Sequence, residues 1–143
     1  MMVPLFNLVY HDAVVCYWQH GQPFGREDHV NHVLHDLLSA QPSSWSLIYE
    51  QWEDLKPLIW QCYDLLGRLH ARTAFCDMVS HEYVTPDFEV HRTTFSDGTT
   101  VSVNFDIRSH ACGDIMLAPK GFCVSFPGEE PIVGRLSRDI VLG

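Results

Sequence analysis

Residues 3–15 have the sequence VPLFNLVYHDAVV, an almost unbroken apolar run that ends in the adjacent polar residues His11 and Asp12. A short run without a polar face is typical of a β-strand that is covered on both sides, as in a parallel sheet. Pro4 is compatible with the first residues of such a strand. Parallel strands present ligand-binding side chains at their carboxyl ends, so the sequence predicts that His11 and Asp12 lie at a binding site.

Two amphipathic helices are predicted after this strand. The first is marked by apolar residues at helical spacing and by Asp28 as a cap or first-turn acid. The second is expected to run from Trp52 or Pro57 to about Arg72, with Pro57 at its first helical position. Between them, residues 45–49 are as compatible with a strand as with irregular structure. The apolar stripe of the first helix consists of Val30, Val33, Leu34, Leu37 and Leu38.

From Met78 onward the apolar period changes from helical to two. Strands are predicted over 78–84 and 90–96, and the Asp97–Gly98 pair that follows is a strong signal for a hairpin. The returning strand places Val101, Val103 and Phe105 on one face and Thr100, Ser102 and Asn104 on a half-exposed face. A second hairpin is expected between strands 115–117 and 122–126, and no element is predicted after residue 128. The chain therefore divides near residue 75.

Composition limits the partners of the chain. Its 143 residues are 46% apolar, and 18 acidic residues against nine Lys and Arg give a formal net charge of −9. Nucleic acid and anionic membranes are therefore not expected as partners. No apolar segment is long enough for a membrane span and no signal peptide is predicted, so the chain is expected to be soluble, with an unknown location. The five cysteines are widely spaced, which favours buried thiols over a disulfide framework.

His11 and Asp12 could bind a metal, act as acid and base, or hydrogen-bond a sugar. Adjacent residues on a strand point to opposite faces, so both serve one site only if the strand has just ended. The structural alternative is that Asp12 caps a turn while His11 binds a buried carbonyl. Trp18 follows the predicted strand and could stack on a sugar ring, whereas Trp52 and Trp60 are expected in the core.

Histidine is frequent, but its spacing does not favour a metal site. His29, His32 and His35 fan across about 120° of a helix, so only neighbouring pairs could share an ion, and a solvated polar face is the expectation. His81, Glu82 and His91 lack partners at ligand spacing. No phosphate-binding loop, dinucleotide fingerprint or nucleophile motif occurs. No cofactor, no metal ligand and no catalytic residue is therefore assigned within the chain.

Several segments in order carry a family resemblance. VPLFNLVYHDAVV is followed by MVSHEYVTPDFEVHRTTFSDGTTVSVNFD and then by GDIMLAPKGFCVSF. This order resembles the carboxyl-terminal end of large bacterial glycoside hydrolases related to families 101 and 129, which act on α-linked N-acetylgalactosamine. The residues that correspond to the family's pattern span most of the chain.

The resemblance implies an α/β part followed by an all-β part. Residues 1–74 would be the last β/α units of a (β/α)8 barrel, and residues 75–143 a small antiparallel β-sandwich. His11, Asp12 and Trp18 would contact a carbohydrate substrate, and the catalytic carboxylates would lie in the missing N-terminal barrel portion. This chain alone would then be inactive. The alternative is a noncatalytic carbohydrate-binding or protein-interaction module, in which the β part is the functional unit.

Overall fold

A computed structural model of the protein describes residues 3–20 and 28–136. The elements of the N-terminal part are α1 (Leu5–Tyr10), β1 (Trp18–His20), α2 (His29–Leu38), β2 (Ser43–Trp45) and α3 (Tyr49–Thr73). The elements of the sheet part are β3 (Met78–Tyr83), β4 (Val90–Phe95), β5 (Thr100–Asn104), β6 (His110–Cys112), β7 (Ile115–Leu117), β8 (Gly121–Ser125) and β9 (Ile132–Arg135).

Within the apolar run at residues 3–15, Leu5–Tyr10 form the helix α1, so the prediction of a buried strand there is wrong. Backbone N–H groups within the run donate to carbonyls one turn earlier, as Leu8 does to Pro4 and His11 to Asn7. A helix pairs some of its backbone groups within the segment, whereas a strand pairs them only with a neighbour. None of the α1 residues is buried, and Leu5 is 68% exposed.

A parallel strand pair nevertheless exists in the N-terminal part, further along the chain. β1 pairs in parallel with β2, from Trp18 opposite Ser43 to His20 opposite Trp45, and α2 forms the crossover between them. The uncertain segment at 45–49 contains the last residue of β2, Trp45, and the first residue of α3, Tyr49, and it is irregular between them. This β1–α2–β2–α3 order is that of two successive β/α units.

The two longer helices follow the predicted apolar stripes. Asp28 caps α2 as expected, because its Oδ1 accepts a hydrogen bond from the Asn31 N–H at 3.1 Å. α3 begins at Tyr49, so Pro57 lies inside the helix and not at its first position. Trp52 and Trp60 are 40% and 62% exposed, which corrects their assignment to the core. The buried positions of α3 are Leu55, Leu58, Cys62, Leu65, Leu66, Leu69 and Thr73.

A five-stranded antiparallel sheet with strand order β3-β4-β5-β8-β9 dominates the sheet part. The hairpin at Asp97–Gly98 is confirmed, and Gly98 takes the left-handed conformation that this turn requires (φ +88°). The edge strand β9 lies after residue 128, where no element was predicted. It pairs with β8, so the expectation for that segment is corrected.

The second predicted hairpin is wrong in its pairing. β7 pairs with β6, through a two-residue turn at Gly113 (φ +64°) and Asp114, while β8 pairs with β5 and β9. A glycine at the first central position is typical of such a turn. The β6–β7 hairpin covers part of one sheet face through a small buried cluster of Val90, Cys112, Leu117 and Cys123.

The sheet therefore has two different faces. The helix face carries Val101 and Val103, which join α2 and α3 in one continuous core. The far face carries Thr100, Ser102 and Asn104, and its predicted half-exposure is corrected because Ser102 and Asn104 are buried. The division near residue 75 thus separates two kinds of secondary structure that share a single core.

The cysteines and the lengths of the helices also bear on the sequence-based expectations. All five cysteines are free, and Cys62, Cys112 and Cys123 are buried. Burial lowers the stability of the charged thiolate and raises the pKa of the Cys123 thiol. Within residues 3–20 and 28–136, no helix has the length and apolarity to cross a membrane.

Candidate functional site

His11 ends α1 and joins three parts of the fold. Its Nδ1 lies 2.8 Å from the Cys76 carbonyl oxygen, and its Nε2 lies 3.0 Å from the Ser39 carbonyl oxygen. The ring also contacts Phe95 of β4, with centroids 4.9 Å apart. A neutral imidazole donates to one of these carbonyls, whereas the doubly protonated ring donates to both. These contacts match the structural alternative, in which His11 binds a buried carbonyl.

Asp12 and Trp18 are placed differently. Asp12 is exposed in the turn after α1, and Trp18 is the first residue of β1. Trp18 therefore lies at the amino end of β1 and Asp12 lies further upstream, so the prediction that the site residues occupy the carboxyl end of a strand is wrong. The structure thus brings His11 and Asp12 together in one turn. The position of the Trp18 side chain lies outside what the structure describes.

A cavity near the strand pair lies between β2 and α3. Its volume is about 510 Å³, and its walls include Trp45, Cys62, Tyr63, Leu66, Gly67 and His70. Most of these groups are apolar or aromatic. In the described part of the chain β2 pairs only with β1, so this cavity adjoins an open strand edge.

An aromatic stripe runs along α3 beside this cavity. It consists of Tyr49, Trp52, Trp60 and Tyr63, which lie within about 80° of one another around the helix axis. Their exposed fractions are 84%, 40%, 62% and 79%. Large aromatic groups aligned on one exposed helix face indicate a surface that another element covers.

The histidines of α2 are not on a solvated face, which corrects that expectation. His29 is buried near the Trp45 ring, and His35 stacks on Phe105 with centroids 4.5 Å apart. α2 lies between the strand pair and the helix face of the sheet, so two of its sides are covered. Burial is the main cause that lowers the pKa of His35.

A second histidine group lies on the helix face of the sheet. His91 Nε2 donates to the Phe88 carbonyl oxygen at 3.0 Å, so its Nδ1 can accept from His81 Nε2, which lies 3.3 Å away. The His91 ring also packs against Tyr83 and Phe105. Burial lowers the pKa of His91 to about 4. The group is therefore a neutral, packed cluster at neutral pH.

A polar cleft of about 240 Å³ opens on the far face of the sheet. Its polar walls come from Glu82, Arg92, Thr94, Thr100, Ser102 and Ser125. Arg92 is held on three sides: its Nε donates to Ser102 Oγ at 3.1 Å, its Nη2 lies 3.0 Å from Cys112 Sγ, and its Nη1 lies 3.5 Å from Glu82. Arg92 is not predicted from the sequence as a site residue, because its partners lie on other strands.

One group of described residues has the composition and spacing to hold a metal ion, namely Asp87, Asp106 and His110. Arg108 already lies against this group, 2.8 Å from Asp106 Oδ2 and 3.6 Å from Asp87 Oδ2. The hydrogen bond from His110, at 2.7 Å, is the main cause that lowers the pKa of Asp106 to about 2. His110 and Arg108 thus provide Asp106 with partners from the protein itself, and Arg108 links the loop between β5 and β6 to Asp87.

Comparisons with known proteins show similarity to a solved glycosidase. No protein-family model and no curated protein matches the chain. The solved α-N-acetylgalactosaminidase NagBb from Bifidobacterium bifidum is similar in its quadruple mutant, with 32% identity and a TM-score of 0.54 over 73% of this chain. Its GalNAc complex is 30% identical with a TM-score of 0.54, again over 73% of this chain. Its Gal-NHAc-DNJ complex is 28% identical with a TM-score of 0.52, over 72%.

The match covers only a small share of the solved enzyme. The chain spans 16% of the quadruple-mutant chain and 17% of the chain in each of the two complexes. The observed α/β arrangement with an antiparallel sheet therefore corresponds to one region of a much longer glycosidase. Over nearly three quarters of its length, this chain is similar to a part of a glycoside hydrolase.

Proposed function

We propose that the chain is the carboxyl-terminal portion of a glycoside hydrolase of the kind related to families 101 and 129. In this proposal β1, α2, β2 and α3 are the last β/α units of a (β/α)8 barrel, and the sheet part is the β-domain that packs on it. The observation that carries the proposal is the parallel pairing of β1 and β2 across the crossover helix α2. The similarity to a region of the solved α-N-acetylgalactosaminidase supports it.

The open flank of the N-terminal part supports the same proposal. Parallel sheets are normally covered and extended on both sides, yet the β1–β2 pair consists of two strands only in the described residues. The open edge of β2, the adjoining cavity and the aromatic stripe of α3 lie on one flank. The first β/α unit of a barrel would add a strand to β2 and a helix to α3 at this position.

In the complete enzyme the chain would contribute substrate contacts and no catalytic carboxylate. Asp12 offers an exposed carboxylate that can accept hydrogen bonds from sugar hydroxyls, and Trp18 can offer an aromatic face. His11 would contact the same sugar or fix the turn that carries Asp12 through its two carbonyl contacts. The reaction would pass through an oxocarbenium-like transition state between two carboxylates of the preceding barrel strands.

The coding sequence upstream of Met1 tests the proposal directly. The expected result is an open reading frame that continues upstream and encodes further β/α units, including candidate catalytic carboxylates. A stop codon immediately upstream, or an upstream segment without β/α periodicity, would overturn the proposal. The test does not depend on whether this chain folds alone.

The aromatic stripe gives a second test in the complete enzyme. The double variant Trp60→Ser/Tyr63→Ser should destabilise the complete enzyme by about 2–4 kcal/mol, because both side chains would be buried against the first β/α unit. In the chain studied alone the same change should stay within about 0.5 kcal/mol. Phe75→Ser is the matched control, because Phe75 is 92% exposed and lies outside the stripe. Equal effects in both proteins would contradict the proposed barrel contact.

Substitution of Asp12 tests the proposed substrate contact. Asp12→Ala in the complete enzyme should reduce kcat/KM for an aryl α-N-acetylgalactosaminide roughly ten- to a hundredfold, since a polar substrate group would lose its partner. The melting temperature should change little, because Asp12 is exposed. Unchanged kinetics would remove Asp12 from the proposed site.

A further inference from the structure

We infer that the polar cleft on the far face of the sheet binds a single neutral sugar ring, as a noncatalytic site separate from the proposed barrel pocket. The cleft is formed by β3, β4, β5 and β8, whereas the proposed barrel site lies in the N-terminal part. Strand alternation puts the cleft on the face opposite the one that packs against α2 and α3. The inference thus does not depend on the barrel proposal.

The register of the sheet aligns the polar groups of the cleft in two cross-strand rows. In one row Thr94 lies opposite Thr100, which lies opposite Ser125. In the other row Glu82 lies opposite Arg92, which lies opposite Ser102. Side chains directly opposite each other on one face are close enough to contact the same ligand. The two rows together place polar side chains on all four strands of the cleft, next to the thiol of Cys123.

The charges of the cleft favour a neutral ligand. The single guanidinium, that of Arg92, faces the carboxylate of Glu82 at 3.5 Å, so the pair has no net charge. Arg92 offers N–H donors and Glu82 offers acceptors, while each hydroxyl can do both. A sugar presents adjacent hydroxyls that donate and accept in the same way. An anion would instead place its charge close to Glu82.

The hydroxyl row is available for such contacts. Within residues 3–20 and 28–136, no hydrogen bond involves the side-chain oxygens of Thr94 or Thr100, and both residues are partly exposed at the cleft. Arg92, by contrast, is fixed by Ser102 and Cys112 before any ligand arrives. A fixed donor loses little conformational entropy on binding.

The size of the cleft limits the ligand to one ring. Its volume of about 240 Å³ is below the roughly 300–1,000 Å³ of pockets for drug-sized ligands. Its apolar wall is provided by Ile115 and not by an aromatic platform. We therefore expect weak binding, with a dissociation constant on the order of 1 mM.

The test is a titration of the full chain followed by two-dimensional amide NMR. N-acetylgalactosamine is the first probe, and sodium sulfate is the anionic probe. The sugar should cause saturable shifts at residues 94, 100, 102 and 125 and leave α1 and β1 unchanged. The double variant Thr94→Val/Thr100→Val should weaken binding roughly five- to tenfold, since it removes two hydroxyls and keeps the strand propensity.

Further variants separate the cleft from a general effect of mutation. Glu82→Gln should also weaken sugar binding, because Glu82 loses its charge and half of its acceptor capacity while remaining half-exposed. Ser109→Ala is the matched control, since Ser109 is exposed in the loop before β6 and does not line the cleft. Shifts with sulfate but not with sugar, undiminished binding in the double variant, or no shifts at all would each overturn the inference.

Discussion

The N-terminal part and the sheet part differ in how many of their strands are paired and in how much of their apolar surface is covered, within the residues that the structure describes. The sheet part has five paired strands, a helix layer on one face and the β6–β7 hairpin on part of the other. The N-terminal part has two short parallel strands, an exposed α1 and an aromatic stripe on α3. The sheet part thus pairs its strands with one another, whereas the two-stranded β1–β2 pair fits the proposal that a further element extends it.

The two parts are nevertheless joined by one core. Leu34 and Leu37 of α2 belong to the same buried cluster as Val101, Val103 and Val124 of the sheet. A hydrogen bond adds to this junction, because the buried Thr93 hydroxyl of β4 donates to the Leu38 carbonyl at the end of α2 at 2.6 Å. We therefore expect both parts to unfold together, despite the open flank of one of them.

Truncation of Leu37 tests this junction and has the largest expected effect. Leu37→Ala should lower the free energy of unfolding by about 2–5 kcal/mol, because Leu37 is fully buried and its removal leaves a cavity. All four tryptophans lie before residue 61, so urea unfolding followed by their fluorescence reports on the N-terminal part. Amide hydrogen exchange in β5 reports on the sheet.

Both probes should show the same loss of stability if the core is shared. The matched control is Leu5→Ala in α1, which should change stability by less than about 0.5 kcal/mol because Leu5 is 68% exposed. A loss seen by fluorescence alone, with unchanged exchange in β5, would mean that the two parts unfold separately.

The edge of the sheet provides the second prediction. Gly134 of β9 lies opposite Phe122, and a Cβ at Gly134 would stand 2.6 Å from the ring Cζ. Gly134→Ala should therefore destabilise the protein by about 1–3 kcal/mol, since the Phe122 ring or the edge strand must shift. The double variant Gly134→Ala/Phe122→Leu should recover part of the loss. Calorimetry would measure both, and an unchanged melting temperature in the single variant would contradict the close packing of β9 on β8.

The sheet part was predicted better from sequence than the N-terminal part, for physical reasons. The Asp97–Gly98 turn and the alternation of Val101 and Val103 are local signals, and the structure confirms them. A short apolar run such as residues 3–15 has no such signal, because a helix and a buried strand share the same composition. Three of the four three-residue strands, β1, β2 and β6, were not predicted, because so short a segment carries little periodicity.

The residues of the candidate sites are harder to predict from sequence than the strands, because tertiary structure brings them together. Arg92 and Ser102 meet because their strands pair, and Ser125 joins them from a strand that is more than twenty residues further along the chain. Nothing in the local sequence around Arg92 indicates this neighbourhood. The burial of Ser102 and Asn104 was likewise missed, since it results from the β6–β7 hairpin and not from β5 itself.

We expect acid to lower the free energy of unfolding through the histidine cluster of His81 and His91, which lies on the face of the sheet that packs against α2. Burial lowers the pKa of His91 to about 4, below the roughly 6.5 expected for an unfolded chain. Between these values the unfolded chain binds a proton that the folded protein does not, so stability falls as the pH is lowered from about 6.5 to about 4. Because His81, which contacts His91, is only partly buried, we expect a loss of about 1–2 kcal/mol from His91.

Urea unfolding at pH 7 and at pH 4.5 would measure this loss. His91→Gln should reduce the difference between the two pH values, because the variant side chain does not titrate and can still donate to the Phe88 carbonyl. His81 and His35 lie close enough to influence His91, and the pKa of each is lowered mainly by burial, so a smaller pH dependence should remain. An identical pH dependence in His91→Gln and in the unmodified chain would show that His91 is not its source.

The smallest expected effect comes from replacing a glycine by alanine in α3. The same replacement in the two parts should change stability in opposite directions. Gly67 lies in the exposed middle of α3, and a Cβ there would meet no atom within 4 Å. Gly67→Ala should stabilise the chain by about 0.5–1 kcal/mol, because alanine loses less backbone entropy in a helix. The same change at Gly134 destabilises, since that glycine faces Phe122.

Gly67 also lines the cavity beside the open edge of β2. If the complete enzyme fills that cavity with another β/α unit, Gly67→Ala should lose its stabilising effect there, so comparison of the two melting temperatures would locate the missing neighbour.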